Sequence, residues 1–336
     1  MTTAGRPHRP HHPHRHRIPR LAAALLAAAT GLAVLTACGS GSDSDSGAGP
    51  AAKSVPGDGS STAVPTRDVV SGVRADPALR AELPAAVRDS GTLSLGTVQA
   101  VGTSGLPHAG QAPDGSTVGL DVDLRDAVAK VLGVSWKVDY GTFPTIIPGV
   151  QNGRFDVGQA NFGVTAAREK VVDFATYLDD GQAFLGGRDT TIPSVGKLTD
   201  LCGLTVATSP GSTFQQILTS GAAECAAVGR KPYRVRYFTD TAPIFLGLAN
   251  GTVDVYFGPT LGLKYDAAHI AGTKFLGQIS TTPVGFVTRK GSPLGKALSD
   301  AVNKLIADGT YKQIFAKWGV PGTGIPTSRL NPPATF

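Results

Sequence analysis

The residues best suited to chemistry in this chain form an anion-recognising set. Thr165 stands immediately before Ala166-Ala167-Arg168, a spacing in which the hydroxyl caps a new helix and Arg168 falls in its first turn. A guanidinium beside free backbone N–H groups is a receptor for a carboxylate, because it offers paired donors and a full charge. Pro210-Gly211-Ser212-Thr213 opens a second predicted helix, through Leu218, and places N–H and hydroxyl donors where an anion could lie. No GK[ST] follows, so this turn is not a phosphate-binding P-loop. Neither Cys202 nor Cys225 has a His close by in sequence, which argues against a nucleophilic thiol. Five of the seven His residues lie in the first twenty positions, and the remaining two form no cluster with metal-ligand spacing. No metal and no cofactor are expected.

The elements that must position these groups alternate strand and helix. Asp156-Val157-Gly158-Gln159-Ala160 reads as a buried strand opening on the site, and Asn161-Phe162-Gly163-Val164 as the turn that delivers Thr165. Upstream, Asp76 is expected to cap a short helix through Arg88, and Thr92–Thr97 alternates like a strand. Leu124, Ala127, Val128, Val131 and Leu132 then make one helical stripe, with Asp123 as its predicted N-cap. Further on come a strand at Cys202–Ala207, a helix from Thr241 to about Asn250, and a strand at Gly251–Phe257 ending in Gly258-Pro259-Thr260. A last helix is predicted from Leu294 to Trp318. Such alternation favours parallel sheets flanked by helices, an α/β class, with ligands beyond the carboxyl ends of the strands.

The N-terminus carries Arg6, Arg9, Arg15, Arg17 and Arg20 and no acid, followed by an apolar run from Leu21 to Leu35 and then Leu35-Thr36-Ala37-Cys38. That is the layout of a secretory signal, and the run falls short of the roughly 20 residues a spanning helix needs. Leu-Thr-Ala-Cys resembles a bacterial lipobox, whose Cys becomes the lipidated first residue. Cys38 is therefore the expected lipidation site. Residues 39–65, rich in Gly, Ser, Asp, Ala and Pro, read as a flexible tether. Removing the five leader arginines from 31 basic residues leaves 26 against 25 acidic ones. The exported body is nearly neutral, which argues against a nucleic-acid partner. Its two cysteines, Cys202 and Cys225, read as a disulfide in an oxidising exterior.

The run Phe143-Pro144-Thr145-Ile146-Ile147-Pro148-Gly149-Val150, then Gly153-Arg154-Phe155-Asp156, Thr165-Ala166-Ala167-Arg168 and Val172-Asp173-Phe174, resembles the amino-acid class of bacterial extracellular solute-binding proteins, family 3. These are the receptors of ABC importers. The resemblance extends from about Gly91 to Gly319. It implies a two-lobe periplasmic-binding-protein-like fold (type II), each lobe a mostly parallel sheet flanked by helices, joined by two strands crossing near 184–188 and 279–287. The expected division is a signal peptide at 1–37, a tether at 38–66, lobe 1 at 67–186 and 285–325, lobe 2 at 187–284 and a loose tail at 326–336.

Carried over, the first-lobe ligand contacts are Arg168, Asn161, Gly163 and Phe143, with Thr165 supporting the turn. Those of the second lobe are Gly211, Ser212 and Thr213, with Tyr256 as a polar candidate. The resemblance implies a monomer that presents an amino acid or related small carboxylate to ABC permease subunits, lipid-anchored at the outer face of the cytoplasmic membrane. The two acids that such receptors aim at a ligand ammonium fall on Pro259 and near Val98. That leaves two expectations open: an amino acid held by neutral groups, or an organic acid without an amine. A sensory or structural lipoprotein is the alternative from another class. An enzyme on the same fold, dehydratase-like, lacks an acid or base placed to act.

Overall fold

The computed structural model describes residues 64–335, so the leader, Cys38 and most of the tether lie outside the described residues. The chain starts with α1 (Pro77–Ala81) and α2 (Ala85–Ser90). The Asp76 carboxylate accepts from Ala78 N and Leu79 N, as expected of a cap, but Pro84 divides the predicted single helix in two. Next come β1 (Thr92–Val98), a hairpin of β2 (Gly110–Gln111) and β3 (Thr117–Val118), and α3 (Leu120–Leu132). Gly119, not Asp123, occupies the N-cap of α3. The Asp123 carboxylate instead accepts from Trp318 Nε1 and Lys317 Nζ, each at 2.7 Å, and pins the C-terminal helix to α3.

Then follow β4 (Ser135–Gly141), α4 (Phe143–Gln151), β5 (Val157–Gly163), the single turn α5 (Ala166–Glu169) and β6 (Val172–Gly187). β5 runs on through the segment predicted as a turn. Asn161 adopts φ +53° inside it, a conformation that Asn tolerates better than most residues.

The second half comprises β7 (Thr205–Thr208), α6 (Thr213–Ser220), α7 (Glu224–Ala227), β8 (Arg234–Tyr237) and α8 (Ala242–Ala249). It continues with β9 (Val255–Pro259), α9 (Thr260–His269) and the long β10 (Thr273–Arg289). The chain closes with α10 (Pro293–Ala307) and α11 (Thr310–Lys317). These two replace the single helix expected from Leu294 to Trp318, because Gly309 at φ +83° breaks it.

The strands lie in the order β4-β1-β5-β10-β6-β9-β7-β8. β1 is parallel to β4 and β5, and β7 is parallel to β8 and β9. Between these two parallel sets, β6 and β10 pair antiparallel over most of their length, from Val172 with Arg289 to Gly187 with Thr273. This ladder joins the two lobes. The β9 edge already pairs with Gln182–Gly186, so the second lobe's sheet takes up β6 from Gln182 onward.

Each lobe has its own apolar core. Leu93, Leu95, Leu124, Val128 and Leu298 fill the first. Val195, Leu201, Leu218, Val255 and Phe257 fill the second, where Cys202 and Cys225 form the expected disulfide. The segment expected to be a loose tail is tied down as far as Asn331. Its Oδ1 accepts from Phe174 N, its Nδ2 donates to Asp173, and Ser328 Oγ lies 2.9 Å from Ser299 Oγ. Among the described residues no helix is long and apolar enough to cross a membrane.

Candidate functional site

Arg168 is placed by the cap that the sequence announces. Thr165 Oγ1 accepts from Arg168 N at 3.2 Å, which ends β5 and turns the chain into α5. The guanidinium then reaches across the lobes, donating from Nη1 to Gly163 O at 2.8 Å and from Nη2 to Gly211 O at 2.9 Å. It also lies 5.6 Å from the ring centroids of both Phe143 and Phe162, which meet each other at 4.8 Å. Two electron-rich rings beside a cation stabilise it electrostatically. Burial lowers its pKa to about 10, so it remains charged at neutral pH.

The second-lobe turn faces this group. Gly211 adopts φ +71°, and a Cβ there would stand 3.5 Å from Pro144 Cβ of the first lobe. Ser212 is the N-cap of α6: its Oγ accepts from Gln215 N and donates to Ser209 O. Thr213 approaches Gly163, where a Cβ would sit 3.4 Å from Thr213 Cγ2. A cavity of about 370 Å³ is lined by Thr165, Ala167 and Arg168 on one side and Gly211, Ser212 and Gln215 on the other. Seven of the nine expected contacts therefore meet in one place: Arg168, Gly163, Thr165, Phe143, Gly211, Ser212 and Thr213. Asn161 lies two residues before Gly163 on β5. Tyr256 does not join them; its ring is buried in the second lobe beside Ile244 and Leu263, edge-on to Phe245.

Asn161 leads to the part of the site that sequence reasoning missed. Its Nδ2 donates to Asp180 Oδ2 at 2.9 Å, and Asp180 is buried where β6 passes between the lobes. The same oxygen lies 3.0 Å from His108 Nε2, while Oδ1 accepts from Gly181 N and from Leu261 N in the first turn of α9. Asp180 thus supplies a carboxylate next to Pro259, from the neighbouring strand. Gly181 is needed here, since a Cβ would lie 2.3 Å from Thr260 Oγ1.

On its other side, His108 Nδ1 lies 3.5 Å from Asp121 Oδ1 at the start of α3. Tyr177 Oη lies 3.4 Å from the second oxygen of Asp121, and Gln159 Nε2 donates to the Asp121 carbonyl. Burial opposes a charge on His108, but the carboxylates of Asp121 and Asp180 outweigh it and bring its pKa up to about 10. His108 Nδ1, Asp121 Oδ1, Gln159 Oε1, Asn161 Oδ1 and Thr260 Oγ1 are buried without a hydrogen-bond partner among the described residues. The sequence held one signal for this cluster: Asp179-Asp180 directly before Gly181-Gln182, an acidic pair within a largely buried strand.

Chemically, the arrangement offers a cation for a carboxylate at Arg168 and a buried acid for an ammonium at Asp180. The family model of bacterial extracellular solute-binding proteins, family 3, matches residues 100–321. The arginine-binding protein ArgT of Corynebacterium glutamicum is 27% identical over 251 residues, covering 73% of this chain and 79% of the relative. The ABC transporter glutamine-binding protein GlnH of Bacillus subtilis is 30% identical over 240 residues, covering 70% and 83%. A solved structure of an ancestral arginine-binding protein bound to arginine superposes with a TM-score of 0.60 at 33% identity, covering 68% of this chain and 98% of that one.

Proposed function

We propose that this chain, which belongs to the bacterial extracellular solute-binding proteins of family 3, is the receptor of an ABC importer and captures an α-amino acid between its lobes. Its relatives include an arginine-binding protein and an ABC transporter glutamine-binding protein. The observation that carries the reading is the pairing of Arg168, bonded to Gly163 of β5, with Asp180, bonded to Asn161 of the same strand. Asn161 and Gly163 are two residues apart, about 6.6 Å along a strand. A carboxylate at Arg168 and an ammonium near Asp180 match the two charged ends of a zwitterion. Asp180 meets the need for a counter-charge that Pro259 and Val98 leave open, so the amino acid is favoured over an acid without an amine.

A binder is favoured over an enzyme because the named relatives are binding proteins. In addition, His108, between the carboxylates of Asp121 and Asp180, holds its proton with a pKa raised to about 10. It is therefore not free to act as a general base at neutral pH. We further propose that the mature chain starts at a lipidated Cys38 and that residues 39–65 space the body from the membrane. Replacing Cys38 with Ala should release the protein from the membrane fraction, and unchanged membrane association would refute the anchor.

Calorimetry against the standard amino acids and their deaminated counterparts tests the ligand class. Amino acids should bind, matched acids should bind at least tenfold more weakly, and Arg168→Ala should weaken both. Tight binding of a ligand without a carboxylate, unaffected by Arg168→Ala, would overturn the reading.

A further inference from the structure

His108 is one of only two histidines outside the leader, and nothing in the capture of a zwitterion by Arg168 and Asp180 requires it. Its position is nevertheless fixed with care. Leu106 is fully buried in the first core, Leu120 N donates to Pro107 O at 2.7 Å, and Asp121 N donates to His108 O at 3.0 Å. A Cβ at Gly119 would stand 2.1 Å from that same His108 oxygen, so only glycine lets the loop seat here. The imidazole is therefore held in a fixed place, bonded through Asp180 to Asn161 of β5.

The ring separates two buried carboxylates. Nε2 lies 3.0 Å from Asp180 and Nδ1 lies 3.5 Å from Asp121. With a protonated ring, two negative charges face one positive charge, and a single net negative charge is left. One ligand ammonium neutralises it. A second cation, on the ligand's side chain, would find no uncompensated carboxylate and would be desolvated beside an imidazolium. The neutral oxygens Gln159 Oε1 and Thr260 Oγ1 are buried without a hydrogen-bond partner among the described residues, and a neutral polar side chain that donates would suit them better than a second cation.

We infer that His108 is a built-in cation that restricts this receptor to amino acids with uncharged side chains by occupying the carboxylates a cationic side chain would need. The inference rests on the amino-acid reading above and adds a side-chain class to it. His108 is a specificity residue, and selectivity is the property that depends on it.

The test is calorimetry on the full chain, stripped of ligand by unfolding and refolding, with glutamine, asparagine, serine, leucine, arginine and lysine as probes. The best neutral probe should bind at least tenfold more tightly than arginine or lysine. His108→Ala should raise the arginine-to-neutral affinity ratio at least tenfold. His108→Gln, which keeps volume and a donor but cannot be charged, should move the ratio the same way. Thermal unfolding of each variant checks that it is folded, and the comparison within the unmodified chain decides even if neither variant folds. Arginine or lysine binding as tightly as the best neutral probe in the unmodified chain overturns the inference. So does an unchanged ratio in a folded variant. If no standard amino acid binds the unmodified chain, the amino-acid reading falls, and this inference with it; selectivity without the expected order refutes only the role of His108.

Discussion

The Arg168 guanidinium and the Gly211 carbonyl meet at 2.9 Å across the two lobes, while the other arm of the same guanidinium holds Gly163 of β5. One side chain thus reports whether the lobes are together, and it does so from the position where a ligand carboxylate would be held. Truncating one partner of a desolvated, hydrogen-bonded charge pair costs about 2–5 kcal/mol. Arg168→Ala should weaken amino-acid binding at least tenfold, since about 1.4 kcal/mol is one decade. Arg168→Lys should recover only part of it, because an ammonium cannot donate two parallel bonds. Titration calorimetry decides. Equal affinity in all three proteins would remove Arg168 from the site.

Asp180 should act on the other end of the ligand. Asp180→Asn keeps the shape of the carboxylate but turns one acceptor into a donor facing Asn161 Nδ2 or Leu261 N. Amino-acid binding should fall at least tenfold, and binding of the matched deaminated acid should fall much less. If both fall together, Asp180 serves the framework and not the ammonium.

How much of this could be read from the sequence depended on whether the signal was local. Thr165 and Arg168 are three residues apart, and a cap spacing is a property of one turn. The same holds for Gly211-Ser212-Thr213 at the start of α6 and for the alternation of strand and helix that announces the α/β class. The resemblance places the acid at the ends of β1 and β9, where Val98 and Pro259 stand. The acid proposed above lies on β6, and only the antiparallel pairing of Gln182 with Pro259 makes Asp180 a neighbour of that position. His108 belongs to a loop with no periodicity, and its partners lie 13 and 72 positions away. Tyr256 shows the opposite limit. Its place in a strand near the site suggested a contact, but the period of two points it toward Ile244 and Leu263 in the core.

The disulfide between Cys202 and Cys225 closes a segment with a sequence separation of 23. In the chain-entropy account, a loop of this size contributes about 3 kcal/mol by restricting the unfolded chain. Replacing both cysteines with Ser should lower stability by about that amount in urea titrations of the oxidised protein. A loss under about 1 kcal/mol would mean that the core around Val195, Leu201 and Leu218 holds these segments unaided.

His108 should leave a mark on stability as a function of pH. The groups facing it are Asp121 from α3, Asp180 and Tyr177 from β6, and the neutral Gln159 and Asn161 from β5. Its pKa rises from an ordinary 6.5 to about 10 on folding, with burial opposing the shift and the two carboxylates driving it. The folded state therefore binds the proton more tightly than the unfolded state. The resulting stabilisation is complete below pH 6.5 and is lost as pH climbs toward 10. Urea titrations at pH 6, 8 and 10 should show this decline, and His108→Gln should flatten it. A decline of equal size in that variant would assign it to other groups.

Asp266 should act in a lower window and with a different outcome. Its side chain is buried in α9, and Oδ1 has no hydrogen-bond partner among the described residues. Burial raises its pKa from an ordinary 3.8 to about 8. The proton is again held more tightly in the folded state, so its contribution is present below pH 3.8 and lost as pH rises through 8. Above that, the fold carries an ionised carboxylate in an apolar setting beside Tyr256, a costly arrangement. An amide at this position has no charge to desolvate, so Asp266→Asn should stabilise the protein, with a gain that grows from pH 4.5 to pH 8 and then levels off. Melting curves at pH 4.5, 6, 7 and 9 measure it directly. A gain that is the same at every pH, or a loss, would mean that Asp266 stays ionised at little cost, and the burial argument for this side chain would fail.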